Sequence, residues 1–340
     1  MKVTFLIGNG FDLKIGMKTR YVDMYDSYIA WAQTQKDDKE ISAFCEKLCQ
    51  DKPNKYTNWS DFEVAMGRYA SQVESEEEFI KCVRSFKRHM IRCLEKEQGK
   101  VLSNIFMDDR SRVICQTVIR ESIYGFYQGQ IPNVINKMER LGKPGAFSFI
   151  SFNYTDVFDT LIEKSIAPQV LSGSVIHIHG NLESDVVLGL DNETQFGKLN
   201  YSITKRMQRA FVKPEFNRQY DIERVKKAER AINNSDVICI YGMSLGISDQ
   251  SWVDRIAKWL RADQSHHLVC FRYSEDKFET WDVDLKMDEE DRKKQLLLER
   301  LYKEPSDREA VFNNVHVPIG FDIFNIVEEL NKRIGKKEIA

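Results

Sequence analysis

The sequence predicts an α/β fold: a mostly parallel sheet covered by helices on both faces. Three observations carry that expectation. Residues 3–7 (VTFLI) form an apolar run rich in β-branched residues that stops at Gly8-Asn9-Gly10, as a buried strand does where it runs into a glycine turn. Strand-like runs resume after residue 145 and alternate with helical patterns, the order of βαβ units. Between the two, roughly 21–142 has little strand character, which predicts a large helical insertion after the first strand.

The elements follow in chain order. Within 21–142, apolar residues recur at helical spacing, as in Phe44 and Leu48, or Phe62, Met66, Tyr69 and Val73. Ser75 before Glu76, Glu77 and Glu78 reads as a helix start with acids in its first turn. Four or five helices are expected, with breaks near 51–54 (DKPN) and Gln98-Gly99 and a stop at 140–145 (RLGKPG). Strands are then expected at 146–152, 175–179, 237–241 and 267–271, with a short extra one at 186–190. Helical patterns lie at 156–165, 203–234, 249–262, 285–304 and 320–335. Residues 1–20 and 146–340 therefore make the α/β domain, and 21–145 its helical insertion or cap.

Composition excludes several classes. The 340 residues carry 50 Lys+Arg against 52 Asp+Glu, a net charge of −2, without the positive excess of a protein that coats nucleic acid. Basic runs at 205–213 and 224–230 read as solvated helix faces. No window of about 18 apolar residues exists, so no membrane span is expected, and the apolar run after Met1-Lys2 is too short for a signal peptide. The seven cysteines include no Cys-x-x-Cys pair, and no carboxylate cluster shows ligand spacing, so no metal is predicted. A reduced, cytoplasmic protein is the expectation.

Chemistry-bearing residues gather at strand ends, where open α/β sheets bind ligands. Four ends are polar or glycine-bearing: Gly8-Asn9-Gly10, Asn153-Tyr154-Thr155-Asp156, His177-Ile178-His179-Gly180 and Gly242-Met243-Ser244. The glycines of the first turn would let the backbone approach a phosphate and turn free N–H groups toward it. Leu13 stands where a Gly-x-Gly-x-x-Gly fingerprint needs its third glycine, and no acidic residue follows on a second strand, which argues against an ordinary dehydrogenase site. Asp12 is either a local cap or a ligand group. Strand alternation would send His177 and His179 to one side. His179 is then the better placed for a site, with His177 its support or a core histidine.

Ile7-Gly8-Asn9-Gly10-Phe11-Asp12-Leu13, Gly16, Thr19-Arg20-Tyr21, Trp59-Ser60-Asp61-Phe62-Glu63, Ser151-Phe152-Asn153-Tyr154-Thr155, His177-Ile178-His179-Gly180 and Tyr241-Gly242-Met243-Ser244-Leu245 occur in this order. Together they resemble the AbiH-type phage abortive-infection proteins over residues 1 to about 260. Those proteins are distantly similar to the sirtuin-like superfamily, a Rossmann-like fold that binds NAD. The resemblance implies Asn153 and His179 as a catalytic pair at the nicotinamide ribose. It implies a nucleotide pocket formed by Gly8, Asn9, Gly10, Phe11, Asp12, Tyr21, Tyr154, His177, Gly242, Ser244 and Leu245, with Ser244 facing the adenosine. It implies NAD as substrate or ligand. The zinc-bearing cysteine quartet of deacetylating sirtuins is absent, which leaves NAD cleavage or binding without turnover. Phe11 is bulky where NAD needs room.

Three residues keep two readings. Asp61 and Glu63 are about 200° apart on a helix and would not share a metal. Glu63 either completes a capping box with Ser60 or reaches from the insertion toward the ligand. Asp249 either caps the helix that follows or contacts a ribose. Three functions follow: a phage-defence effector that hydrolyses NAD or a related nucleotide, a non-catalytic nucleotide-binding sensor, and a nucleic-acid-targeting toxin. The first requires restraint by a homo-oligomer, a lid or a regulatory partner protein, released by a phage-derived trigger.

Overall fold

The computed structural model describes residues 1–35, 37–51, 59–125, 144–272, 283–320 and 323–334. Six strands form one all-parallel sheet: β1 (Lys2–Ile7), β2 (Ala146–Ser151), β3 (Ile176–His177), β4 (Val237–Tyr241), β5 (His267–Phe271) and β6 (Val315–His316). Their spatial order is β3-β2-β1-β4-β5-β6, the doubly wound Rossmann arrangement. β1 lies at the centre, with Phe5 opposite Phe149 on one side and Cys239 on the other. Every residue of β1 after Lys2 is buried, which explains its continuous apolar run: both faces of the strand are covered.

The insertion after β1 is helical as expected. It contains α1 (Gly10–Lys14), α2 (Tyr21–Ala32), α3 (Lys39–Asp51), α4 (Trp59–Tyr69), α5 (Glu76–Ile105) and α6 (Asp109–Gly125). Ser75 caps α5 by accepting the Glu78 N–H. The break expected at Gln98-Gly99 does not occur. Gly99 costs an exposed helix only about 1 kcal/mol, and thirty residues of helix carry it. Ser60 lies inside α4, so it is not the N-cap of that helix. The break at 52–54 and most of the 140–145 stop lie outside the described residues.

Further helices are α7 (Val157–Ser165), α8 (Lys205–Phe211), α9 (Lys213–Tyr220), α10 (Ile222–Asn233), α11 (Gln250–Ala262), α12 (Val283–Leu301), α13 (Pro305–Val311) and α14 (Ile326–Ile334). The pattern at 203–234 thus resolves into three helices. Val212 turns extended, pairing with Leu190, and Pro214 starts the next helix without needing an N–H bond. Asp221 then caps α10. Val186–Leu190 is not a strand. It is a buried, irregular crossing held by Val187 N–H to His179 O and Leu190 N–H to Phe211 O. The short edge strand β6 carried no sequence signal, since two residues are too few to show alternation.

Packing divides the molecule into three apolar clusters. On one face of the sheet α6, α7 and α14 cover Val3, Phe5 and Ile7. On the other, α10, α11 and α12 cover Leu6, Ile238 and Ile240. The third cluster joins α2–α5 to Val186, Leu188, Leu190 and Phe211. It holds the insertion against the loops that follow β3, beside the carboxyl ends of the strands. Among the described residues, no helix is long and apolar enough to cross a membrane.

At those carboxyl ends the loops after β1 and β4 touch through glycines. A Cβ on Gly8 would stand 2.6 Å from Gly242 O, and one on Gly10 2.5 Å from Gly242 Cα. Gly242 itself has φ +69°. Backbone fills the space, so nothing nearby can yield. Gly8→Ala is therefore expected to cost at least about 2 kcal/mol of stability, read from urea denaturation, whereas Gly99→Ala, with open space around it, is expected to stabilise slightly.

Candidate functional site

Strand order reverses between β1 and β4, and a cavity of about 300 Å³ opens there, beyond the strands' carboxyl ends. Gly8, Asn9, Gly10, Asp12, Tyr21, Asn153, Tyr154, His179, Gly242, Ser244 and Leu245 all line it. Asn153 and His179 thus share one cavity with the glycine turn. Two of the expected residues lie elsewhere. Phe11 is fully buried, edge-on to Phe158 and Phe324. The first turn of α1 points it into the sheet's core, so its bulk takes no ligand space. His177 also misses the cavity. β3 ends at His177, so strand alternation does not extend to His179, and the two rings meet different partners.

The glycine turn is built differently from a phosphate cradle. Gly8 N–H donates to Tyr241 O and Gly10 N–H to Gly242 O, both at 2.9 Å, and Phe11 N–H donates to Gly8 O. These three amides are spent on joining two loops. Asn9 is spent as well. Its Nδ2 donates to Thr19 O, and its Oδ1 accepts from Thr19 Oγ1 at 2.7 Å. That pair pins residues 17–20 across the turn and sets Tyr21, at the start of α2, stacked on Phe62 at 4.4 Å.

Asp12 follows on α1, 2% exposed. Its carboxylate accepts from Asn153 Nδ2 at 3.0 Å and Thr155 Oγ1 at 2.8 Å. Burial pushes its pKa up to about 7, outweighing those two hydrogen bonds. With Nδ2 so committed, Asn153 presents a buried Oδ1 with no hydrogen-bond partner.

The opposite wall is a buried chain of charges. Lys213 Nζ, at the first turn of α9, donates to Glu63 Oε2 at 2.8 Å, to Asp249 Oδ1 at 3.0 Å and to Ser248 O at 3.3 Å. Glu63 Oε1 accepts the Gly189 N–H at 3.1 Å. Asp249 Oδ1 also stands 3.0 Å from His179 Nε2, close but not aligned as a full hydrogen bond, since that nitrogen has no geometric partner. Burial raises the Glu63 carboxyl above its usual range despite Lys213. Burial pushes Asp249 the same way, but the charge of Lys213 and its hydrogen bond, with the nearby His179 ring, hold it well below the usual range. Burial pulls the Lys213 ammonium down, and the two carboxylates more than reverse it.

Both capping readings therefore give way. Glu63 faces Lys213 rather than closing a capping box. Asp249 is the N-cap residue of α11 but makes no side-chain cap bond, because Lys213 and His179 take its carboxylate. Lys213 is the residue that sequence reasoning missed. It closes the basic run 205–213, yet Phe211-Val212 before it and Pro214 after it mark a buried helix junction rather than a solvated face. Arg300 of α12 completes the wall from behind, donating to Leu245 O at 2.7 Å and Gly246 O at 3.1 Å. That bond holds Leu245 in its positive-φ conformation, φ 54°.

The model of the family described as bacteriophage abortive infection AbiH matches residues 4–271. The chain belongs to the AbiH family. No curated protein matches it. The matched region runs from within β1 to the end of β5 and so contains all the residues that line the cavity, though not Arg300 behind the wall. Family membership assigns this AbiH protein a role in bacteriophage abortive infection.

Asp12 offers a direct test of the wall. Its pKa is raised in the fold, so the folded chain holds a proton that the unfolded chain has lost between about pH 4 and 7. That stability is present below the unfolded pKa and is lost as pH rises through about 7. From pH 5 to 8 the contribution falls by about 2–3 kcal/mol. Denaturation curves at both pH values should show this decline in the wild type and a smaller one in Asp12→Asn. Equal declines would show that Asp12 ionises normally.

Proposed function

We propose that this protein is an antiphage effector that binds NAD or a related nucleotide in the cavity and hydrolyses it at the nicotinamide–ribose bond. The observation that carries the reading is the His179–Asp249–Lys213–Glu63 chain opening on the same cavity as Asn153. Asp249, kept ionised by Lys213, stands 3.0 Å from His179 Nε2 and favours the hydrogen on that nitrogen by its charge, which leaves Nδ1 to accept a proton from an attacking water or a ribose hydroxyl. The free Oδ1 of Asn153 can receive a hydroxyl or hold that water. Cleavage builds oxocarbenium character on the ribose, and the nearby carboxylates of Asp249 and Glu63 suit a developing positive charge better than a neutral wall would.

The sirtuin-like resemblance supports the same roles, with one adjustment. The amides of Gly8, Gly10 and Phe11 are spent, and the cavity is at the small end for ligand sites. The enclosed part suits one nucleoside, leaving phosphates at the mouth near Arg20 and Ser244. The same spent amides favour a second reading, a sensor that binds a small nucleotide without turning it over. The nucleic-acid toxin finds less support. Arg206 and Arg224, from the basic runs, are paired with Glu77 and Asp185. An activity lethal to the cell would need restraint, which a second copy or a partner protein over the insertion would provide until a phage-derived trigger arrives.

Nicotinamide released from NAD, followed by chromatography with and without phage lysate, tests the reading. Release is expected to fall at least about 100-fold in His179→Ala and Asn153→Ala, both checked for folding by circular dichroism. NAD bound but never cleaved would leave the sensor standing. NAD neither bound nor cleaved would remove NAD as the ligand in both readings.

A further inference from the structure

Outside the cavity, three side chains converge behind Asn153. Asp156 precedes α7, Asp159 lies in its first turn, and His177 ends β3. One ligand atom from each lies within 4.8 Å of the others. His177 Nε2 is 2.9 Å from Asp159 Oδ2 and 3.9 Å from Asp156 Oδ1. Donors around one divalent ion stand about 3 Å apart when adjacent and about 4 Å when opposite, so the two His177 separations are compatible with a coordination shell as well as with an ion pair.

The orientation of the ring decides more than the distances. His177 Nδ1 is 3.0 Å from the carbonyl oxygen of Asn153. A carbonyl only accepts, so Nδ1 carries a hydrogen, and Nε2, which faces carboxylate oxygens, holds either a second proton, which the neighbouring aspartates favour against burial by raising the ring's pKa, or a lone pair turned to another cation. At 2.9 Å a positive centre, a proton or a metal ion, stands between the nitrogen and the carboxylate. The ring is more than nine-tenths buried, with 9% of its side chain exposed. Asp156 adds a buried Oδ2 with no hydrogen-bond partner, while its Oδ1 accepts from Asn181 Nδ2 at 2.6 Å. Donation of the second ring N–H to a backbone carbonyl is the support that metal-bound histidines use.

We propose that Asp156, Asp159 and His177 bind one divalent cation. The mixed imidazole and carboxylate set suits Zn²⁺ or Mn²⁺ better than Ca²⁺. Asn181 orients Asp156, and the Asn153 carbonyl orients His177. The ion lies one hydrogen bond behind Asn153 and fixes that residue's backbone from outside the cavity. The inference does not depend on NAD hydrolysis.

Full-length protein treated with EDTA and dialysed against ZnCl₂ or MnCl₂ is expected to take up one metal per chain. Tm is expected to rise by about 4 °C at a hundredfold excess over Kd. Asp159→Asn is expected to weaken uptake at least about 100-fold, while His179→Ala leaves it unchanged. Nitrogen-15 NMR of the wild type gives a readout that needs no variant at the site: Zn²⁺ should move His177 Nε2 while Nδ1 stays protonated. No stoichiometric uptake, uptake unaffected in Asp159→Asn, or a His177 ring that is doubly protonated and indifferent to Zn²⁺ would each overturn the proposal, the last by showing that a proton is the missing cation.

Discussion

Lys213 is the interaction on which the site depends. Its side chain is 6% exposed, and its ammonium is held by two carboxylates from different parts of the chain. Glu63 comes from α4 in the insertion, and Asp249 from the loop after β4. Removing one partner of such a buried pair costs about 3–5 kcal/mol, because it leaves an uncompensated charge. The three groups therefore hold together or fail together. Through them the insertion, the crossing at Gly189 and the β4 loop are fixed relative to His179. A hydrophobic replacement could pack as well, but it would not present an ionised carboxylate to the imidazole.

The second constraint is the contact between the glycine turn and Gly242. It brings the loops after β1 and β4 closer than any side chain allows, and it consumes the amides that a phosphate would use. The glycines serve the meeting of two loops, and the polar work passes to side chains: Asp12, Asn153 and Thr155 on one wall, His179 and Asp249 on the other.

Much of the fold was legible because its signals are local. The apolar runs of β1, β4 and β5 end in residues that stop strands, and Ser75 with its trailing glutamates starts a helix. What was not legible depends on distant partners. β6 has two residues and exists because β5 lies beside it. Gly99 reads as a break by its own propensity, but the helix formers on both sides carry α5 through it. Phe11 looked like an obstacle in the pocket because sequence order does not say which way the first turn of α1 faces. Polar residues after strands draw attention to Asn153 and His179, and the family resemblance singles them out as a pair. Lys213 could not be named, since a lysine in a basic run has the same sequence whether its ammonium meets water or Glu63, 150 residues earlier. Asp159 likewise joins His177 only once α7 and β3 are in place.

The central claim is that the carboxylate of Asp249, held by Lys213 and 3.0 Å from His179 Nε2, keeps the hydrogen on Nε2 and leaves Nδ1 as the basic nitrogen. Long-range nitrogen–proton NMR correlations of selectively labelled histidine report this directly. The account predicts a single His179 tautomer with hydrogen on Nε2 in the wild type, and loss of that preference in Asp249→Asn. A wild-type His179 with hydrogen on Nδ1 alone, or one averaging between both nitrogens, would contradict it.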